Sequence, residues 1–196
     1  MSKGLIVGLG IVGVIVLFII GFFSWGTGVY DTAVGLQEGV NESWGNVQAT
    51  YQRRADLIPQ LVETVKGAAE NERGILTAVT QARAGIVNAK TPEDLEIAGR
   101  QINTAINLAF EAYPQIRSTE NFQDLQAQLE GTENRINVAR QNYNGTIKGY
   151  NTYVRGFFKR TALSIFGGGE DFTARKSFGA SEEAQNAPKV DFSKKP

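Results

Sequence analysis

Glutamates are the residues of this sequence whose chemistry comes closest to that of a catalytic or metal site. The candidates are Glu63, Glu70, Glu72, Glu111, Glu130 and Glu133. Carboxylate-bridged metal sites in helical bundles usually contain a Glu-x-x-His motif, but the sequence has no histidine. A glycosidase needs two carboxylates in contrasting environments, and no helical spacing here singles out such a pair. We therefore interpret these acids as solvated helix faces and predict no catalytic residue, no metal and no cofactor.

The composition excludes further classes of enzyme. Because the chain has neither cysteine nor histidine, thiolate nucleophiles, imidazole bases, disulfides and the common zinc sites are ruled out. Basic and acidic side chains number 20 each, which leaves no field of a single sign to attract a nucleic acid. We predict a protein that is not an enzyme and has no nucleic acid partner.

Arg54 is the most informative charged residue, because it interrupts an apolar helical pattern. A planar guanidinium there could bind a phosphate or a carboxylate ligand. We favour the alternative, in which Arg54 forms an ion pair with Glu130 or Glu133 on a later helix and so fixes the register of the two helices.

The N-terminal segment from Gly4 to Phe23 contains no charged side chain. About 20 helical residues span a hydrocarbon core of about 30 Å, and this run is longer than the apolar core of a signal peptide. Lys3 precedes the segment, and the next basic residue is Arg53. The positive-inside rule therefore predicts a cytoplasmic N-terminus, with the rest of the chain on the outer side of the membrane.

After this anchor, apolar residues recur at alternating spacings of three and four, as in coiled-coil helices. The first such seam runs from Val40 to Ile86 and passes Pro59, where we favour a kink because the pattern resumes in register. A second helix is predicted to start at Thr91-Pro92, which suit a cap and a first turn. A third begins near Ser118 to Asn121, and no alternating strand pattern occurs. The predicted fold is all-α, an N-terminal transmembrane helix followed by an antiparallel bundle of long coiled-coil-like helices.

Predicted helix lengths leave part of the first seam uncovered. A first helix from about residue 30 to 88 would be near 85 Å long, and the second only about 33 Å. This leaves four apolar residues without an intrachain partner, so we predict that they form the contact of a homo-oligomer. They are Val40, Trp44, Val47 and Tyr51. A hairpin at Pro59 is the alternative, because it would close a four-helix bundle within one chain.

The third helix repeats Tyr-Asn one heptad apart, at Tyr143-Asn144 and Tyr150-Asn151, and then becomes basic and aromatic. Aromatic side chains enter a membrane interface and cations bind its headgroups. The candidate membrane contacts are Arg155, Phe157, Phe158, Lys159, Arg160 and Phe166. A patch covered by a neighbouring subunit is the alternative. The positive charge suits an anionic cytoplasmic leaflet better than the outer face predicted above.

Composition divides the chain into four parts. Residues 1–3 form a stub, 4–27 the transmembrane anchor, 28–166 the helical bundle with its basic and aromatic end at 155–166, and 167–196 a polar tail. The tail alone would be disordered. Its isolated apolar residues could still dock on a partner surface, and they are Phe172, Phe178, Val190 and Phe192.

Three stretches resemble signature blocks of the LemA family of bacterial membrane proteins. They are RRADLIPQLVETVKG at 53–67, EAYPQIRSTENFQDLQAQLEGTENRINVARQNYN at 111–144 and GYN at 149–151. The resemblance covers nearly the whole chain. It implies one N-terminal helix in the bacterial inner membrane and a bundle of long helices, in a family without an established enzymatic activity, and it supplies no catalytic residue to carry over.

These observations predict a non-enzymatic, membrane-anchored scaffold that self-associates at the bacterial membrane and organises or shapes it. Its partners would be the lipid bilayer and further copies of itself, with the bundle on the periplasmic or extracytoplasmic side. The alternative is an adaptor that binds a membrane protease, a sensor or another envelope protein.

Overall fold

The computed structural model describes residues 3–64, 69–112 and 120–179. These ranges contain helices and connecting segments but no strand, so the all-α prediction is confirmed. In chain order the helices are α1 (Lys3–Thr64), α2 (Ala69–Asn88), α3 (Pro92–Ala112), α4 (Glu120–Val154) and α5 (Phe157–Phe166).

Helix α1 changes character along its length without a break. From Leu5 to Phe23 its large apolar side chains are exposed on all sides, and the length and composition of this part fit a membrane span. From Val29 onward only one face is buried, and that face continues to Ile58. Packing of the bundle therefore begins about where the apolar segment ends.

The second half of α1 joins α2, α3 and α4 in a four-helix bundle. Helix α2 runs back along α1, because Gln48 donates hydrogen bonds to the carbonyl oxygens of Ile86 and Ala89 at 3.2 Å. Helix α3 runs in the direction of α1 and lies against it at the contact of Gly99 with the ring of Tyr51. Helix α4 then returns antiparallel to α1, towards the end at which the apolar segment lies.

Hydrogen bonds and buried residues define the pairing of α4 with α1. Tyr150 donates a hydrogen bond to Gln37, and Tyr153 donates one to the carbonyl oxygen of Val29, each at 3.3 Å. The buried face of α4 recurs at steps of three and four, with one step of seven across the partly buried Ala139, at Leu125, Leu129, Thr132, Ile136, Tyr143, Ile147, Tyr150 and Val154. Phe157, three residues after Val154, begins α5 and is exposed.

This arrangement corrects the predicted length of the first helix. Pro59 lies inside α1, which extends to Thr64, and α2 begins at Ala69 in the opposite direction. The chain therefore does not continue as one helix to residue 88. The four-helix bundle of the alternative interpretation is present, but the chain reverses after Thr64 and not at Pro59.

The predicted oligomer seam is also corrected. Val40, Val47 and Tyr51 are at most 4% exposed within the single chain, and Trp44 is partly buried against the same core. With the reversal after Thr64, α3 and α4 both pack against α1; Tyr51 lies against Gly99 of α3 and Trp44 against Tyr143 of α4. The premise that they lack an intrachain partner is therefore wrong.

The start of α3 agrees with its prediction and has a reciprocal cap. The Thr91 hydroxyl accepts a hydrogen bond from the Asp94 N–H at 3.3 Å, and the Asp94 carboxylate accepts from the N–H groups of Lys90 and Thr91 at 3.1 and 3.0 Å. These side-chain acceptors satisfy N–H groups that would otherwise be unpaired at the start of the helix. Together the bonds from Lys90 and Thr91 hold the pKa of Asp94 below its usual value.

Candidate functional site

The predicted ion pair lies between α1 and α4. The structure places the Arg54 guanidinium against the carboxylate of Glu133, with 13% of the Arg54 side chain exposed. Burial lowers the pKa of Arg54. Glu130 lies one turn away and accepts a hydrogen bond from Gln126 of its own helix at 3.1 Å. Of the two proposed acids, Glu133 is the one that meets Arg54.

The other acidic residues do not gather into a site within the described part of the chain. Glu111 is exposed, and the side chains of Glu63, Glu70 and Glu72 lie outside the description. Among the described residues, no group of three or more acidic side chains is placed to hold a metal ion.

Two features outside the bundle core bring potential binding groups together. The first is α5, which lies at the end of the apolar segment of α1. The ring of Phe166 is 5.6 Å from the rings of both Phe22 and Phe23. It also covers Gly26 so closely that a Cβ atom there would clash with it. Ala162 and Leu163 complete the buried face of this short helix.

The opposite face of α5 is apolar and has no cover in the described structure. Phe157, Phe158 and Ile165 are 78%, 72% and 60% exposed. Lys159 and Arg160 are also exposed, and the Lys159 ammonium lies 4.1 Å from the ring centre of Tyr153 on α4. Among the predicted membrane contacts, Phe166 differs from the rest, because it holds α5 on α1.

The second feature is the segment that follows α5. Gly168 and Gly169 have φ values of 58° and 95°, a region that glycine enters at little cost. The chain turns there and runs as an extended segment along the bundle, away from the apolar segment of α1. Its Phe172 ring packs on Tyr30 at 5.8 Å. We call residues 170–179 the docked tail.

Two asparagines of α4 bind the backbone of the docked tail. Asn144 accepts a hydrogen bond from the N–H of Phe178 at 2.8 Å and donates one to its carbonyl oxygen at 3.0 Å. Asn151 makes the same pair of bonds with Arg175, both at 2.9 Å. A side-chain amide has a donor and an acceptor, so each asparagine satisfies both backbone groups of one tail residue.

The spacing of the two asparagines explains why the tail is extended. One heptad of helix rises about 10.5 Å, and three extended residues cover about 10 Å. Residues 144 and 151 of the helix therefore match residues 178 and 175 of a segment that runs in the opposite direction. A helical or tightly turned segment would not meet both asparagines.

An aromatic anchor completes the binding of the tail. The Phe178 ring is 5% exposed and lies between Trp44 and Tyr143, at 6.2 and 5.5 Å from their ring centres. The Arg140 guanidinium lies 4.7 Å from the Phe178 ring centre and forms an ion pair with Glu96 at 2.5 Å. Lys176 pairs with Glu93 at 3.4 Å on the exposed side. The groups that receive the tail form what we call the tail cleft, and they are Trp44, Glu93, Arg140, Tyr143, Asn144 and Asn151.

Sequence reasoning identified parts of the tail cleft without joining them. The Tyr-Asn pairs repeat one heptad apart in the sequence, and Phe172 and Phe178 are two of the four tail residues that could dock on a partner surface. Both rings instead dock on their own chain. Val190 and Phe192 lie outside the described residues.

Comparison with known proteins identifies the family. The model of the LemA family matches residues 43–192, which include the four-helix bundle from Ser43 onward, α5 and the docked tail. Protein LemA of Metamycoplasma hominis is 24% identical over 126 residues, which cover 62% of this chain and 58% of that relative. The chain thus spans less than two thirds of the relative's length. Because the family model matches most of the sequence, the chain belongs to the LemA family.

Proposed function

We propose that this protein is a non-enzymatic scaffold of the bacterial inner membrane that self-associates beside the bilayer and organises or shapes it. In this proposal α1 crosses the membrane with its N-terminus in the cytoplasm, and the bundle stands on the outer side. The observation that carries it is the position of α5. Exposed apolar and basic side chains of α5 are held beside the end of the one segment, among the described residues, that fits a membrane span.

The attachment of α5 to α1 makes a weak membrane contact effective. A helix of 10 residues would bind a bilayer only marginally by itself. Its tether to α1 confines it near the interface, which raises its local concentration to about the millimolar range typical of short linkers. Phe157 and Phe158 can then enter the headgroup region while Lys159 and Arg160 bind lipid phosphates.

The expected effect of α5 on the membrane follows from its depth. A shallow helix occupies area in one leaflet only, and binding by such helices depends on curvature. Each copy would add one such wedge on the same side. A cluster of copies would therefore bend or organise the bilayer, whereas a single copy would have little effect.

Depth-dependent quenching tests this proposal. Because the chain has no cysteine, Phe158→Cys gives a single site for a polarity-sensitive dye on full-length protein in vesicles. We expect a blue-shifted emission that is quenched by lipids with spin-labelled acyl chains. Asn103→Cys on α3, also exposed, serves as the matched control and should resemble the dye in water. Equal, water-like emission at both positions would contradict the membrane role of α5.

A second candidate function is favoured by the tail cleft. A cleft that binds an extended segment through its backbone could receive a segment of another envelope protein, such as a membrane protease or a sensor. The protein would then be an adaptor. Imaging of the detergent-extracted full-length protein separates the two functions, because regular assemblies of the protein alone favour the scaffold and discrete single bundles favour the adaptor.

A further inference from the structure

We propose that the tail of one copy docks in the tail cleft of a neighbouring copy, so that exchanged tails link the chains of an assembly. This inference rests on the self-association in the proposed function and names the surface that produces it. The seam from Val40 to Tyr51 cannot serve, since it is buried within each chain. The tail cleft is the surface where a detachable segment meets a matched receptor.

The cleft selects this tail by three independent features. Asn144 and Asn151 fit backbone groups three residues apart. The rings of Trp44 and Tyr143 fit one aromatic side chain, and the acid Glu93 fits a base two residues before it. Every copy carries both the segment and the receptor. A second copy is therefore an occupant whose fit is already visible in the structure.

The connection between α5 and the tail allows the exchange. Helix α5 ends with a hydrogen bond from the Gly167 N–H to the Leu163 carbonyl oxygen at 2.9 Å, so it is complete without the tail. Gly168 and Gly169 can rotate to other conformations because they have no side chain. From Gly169 to Arg175 the extended chain spans about 20 Å, about two helix diameters. That reach extends from α5 of one bundle to α4 of a bundle beside it.

The energetics make exchange depend on the density of chains in the membrane. An exchanged tail makes the same contacts as a tail bound to its own chain, so exchange of identical segments costs little. The balance depends on local concentration, which is about millimolar for a segment on a short linker. Anchored copies share one plane and one orientation, which places all clefts at the same height. Crowded copies can therefore compete with the chain's own tail, and sparse copies cannot.

Cysteine pairs across the Lys176–Glu93 contact give a direct test. Both residues are exposed, and their replacement leaves the asparagine bonds and Phe178 in place. One full-length chain carries Glu93→Cys, and a second full-length chain, with a tag of different size, carries Lys176→Cys. The chains are mixed in vesicles and treated with a short bis-maleimide. We expect a mixed-tag product whose yield rises at least several-fold as the protein-to-lipid ratio is increased tenfold.

Three controls define the outcomes. The chain with both cysteines should give an intramolecular product at low density. Gln128→Cys, exposed near the start of α4, replaces Glu93→Cys to measure random collision with Lys176→Cys. Addition of Asn144→Ala and Asn151→Ala to both chains should reduce the mixed-tag product to that collision level.

The result that overturns tail exchange is a mixed-tag yield equal to the Gln128 control at every density. Photobleaching of singly labelled chains, counted in the same vesicles, separates this failure from failure of the scaffold. Clusters without the mixed-tag product would remove tail exchange and keep self-association. Single chains at every density would remove both, and a missing intramolecular product would contradict tail docking itself.

Discussion

At the scale of residues, Asn144 and Asn151 do for the tail what a neighbouring strand does in a sheet. A helix cannot offer its own backbone to an extended segment, because its N–H and C=O groups are bonded within the helix. A side-chain amide presents an equivalent donor and acceptor. Two such amides on one helix face therefore form a short ladder that binds backbone and leaves the side chain at position 178 to supply the anchor.

Replacement of Asn144 by aspartate is expected to release the end of the tail. The carboxylate can still accept from the Phe178 N–H, but it cannot donate to the Phe178 carbonyl oxygen. An unmet hydrogen bond of a buried group costs about 1–3 kcal/mol. The ratio of docked to free tail should therefore fall about 10- to 100-fold, since about 1.4 kcal/mol corresponds to a factor of ten. Hydrogen exchange of the tail amides and Trp44 fluorescence measure this ratio.

Asn137→Asp is the matched control, because Asn137 is an exposed asparagine of the same helix. It adds the same charge to α4 and should leave exchange of the tail amides unchanged. Equal exchange in the Asn144 and Asn137 variants would show that the ladder does not hold the tail.

Of the two polar sites, which are the Arg54 ion pair and the tail cleft, residue types alone predicted only the ion pair. Arg54 breaks an apolar seam, and a charge in that position needs an acid on the facing helix, which made Glu130 and Glu133 the two candidates. The tail cleft could not be predicted in the same way. Asn144 and Asn151 follow the helical period, but the segment that they bind is extended and has no period to match against.

At the scale of elements, the sequence defines α3 and α4 well and α1 poorly. Thr91, Pro92 and Asp94 give α3 a local start signal, and the buried face of α4 keeps a step of seven from Leu129 to Tyr150. The reversal between α1 and α2 has no comparable signal. The apolar pattern continues through it in register, and Pro59 is tolerated inside α1. The reversal brings α2 against α3 and α1, and local spacing does not encode such long-range packing.

The cap of α3 gives this element a predictable response to acid. The folded pKa of Asp94 lies below its usual value of 3.8, because the N–H groups of Lys90 and Thr91 stabilise the carboxylate. A lowered folded pKa means that the contribution to stability is present above about pH 4 and is lost as the pH falls through the folded value. The pKa of Glu93 shifts in the same direction, through its own backbone N–H first.

Asp94→Asn should therefore lower the melting temperature at pH 7 and flatten its dependence on pH below 4. Thermal unfolding followed by circular dichroism between pH 2.5 and about 7 measures both effects. Glu111→Gln, which neutralises an exposed acid near the other end of α3, should leave the curve close to that of the unmodified protein. A parallel shift of the whole curve in the Asp94 variant would assign the loss to packing and not to the cap.

At the scale of the whole molecule, the anchor and the bundle share one continuous helix. Helix α1 has 62 residues, or about 93 Å at 1.5 Å per residue, and it passes the predicted boundary at residue 27 without a break. Helix α5 forms a second connection, because Phe166 packs on the end of the apolar segment while α4 continues into α5 through Arg155 and Gly156. Two connections resist tilting of the bundle about α1 better than one. The exposed face of α5 would then be held at a fixed height in every copy.

Replacement of Gly26 tests whether α5 braces the bundle against α1, which is the second connection described above. The Phe166 ring occupies the place where a side chain at position 26 would lie. Gly26→Leu should force the ring away and detach α5 from α1, so that the amides of residues 161–166 exchange at least tenfold faster in detergent. Gly28→Leu adds the same side chain two residues further along α1, where no atom lies within 4 Å of the added Cβ, and should leave exchange in α5 unchanged.

If the amides of α5 exchange at the same rate in both variants, α5 is not held by this contact, and a fixed position beside the membrane would need another cause. If only the Gly26 variant loosens α5 while its four-helix bundle keeps its melting temperature, the brace and the bundle are separable. The effect of α5 on the membrane can then be removed without unfolding the protein.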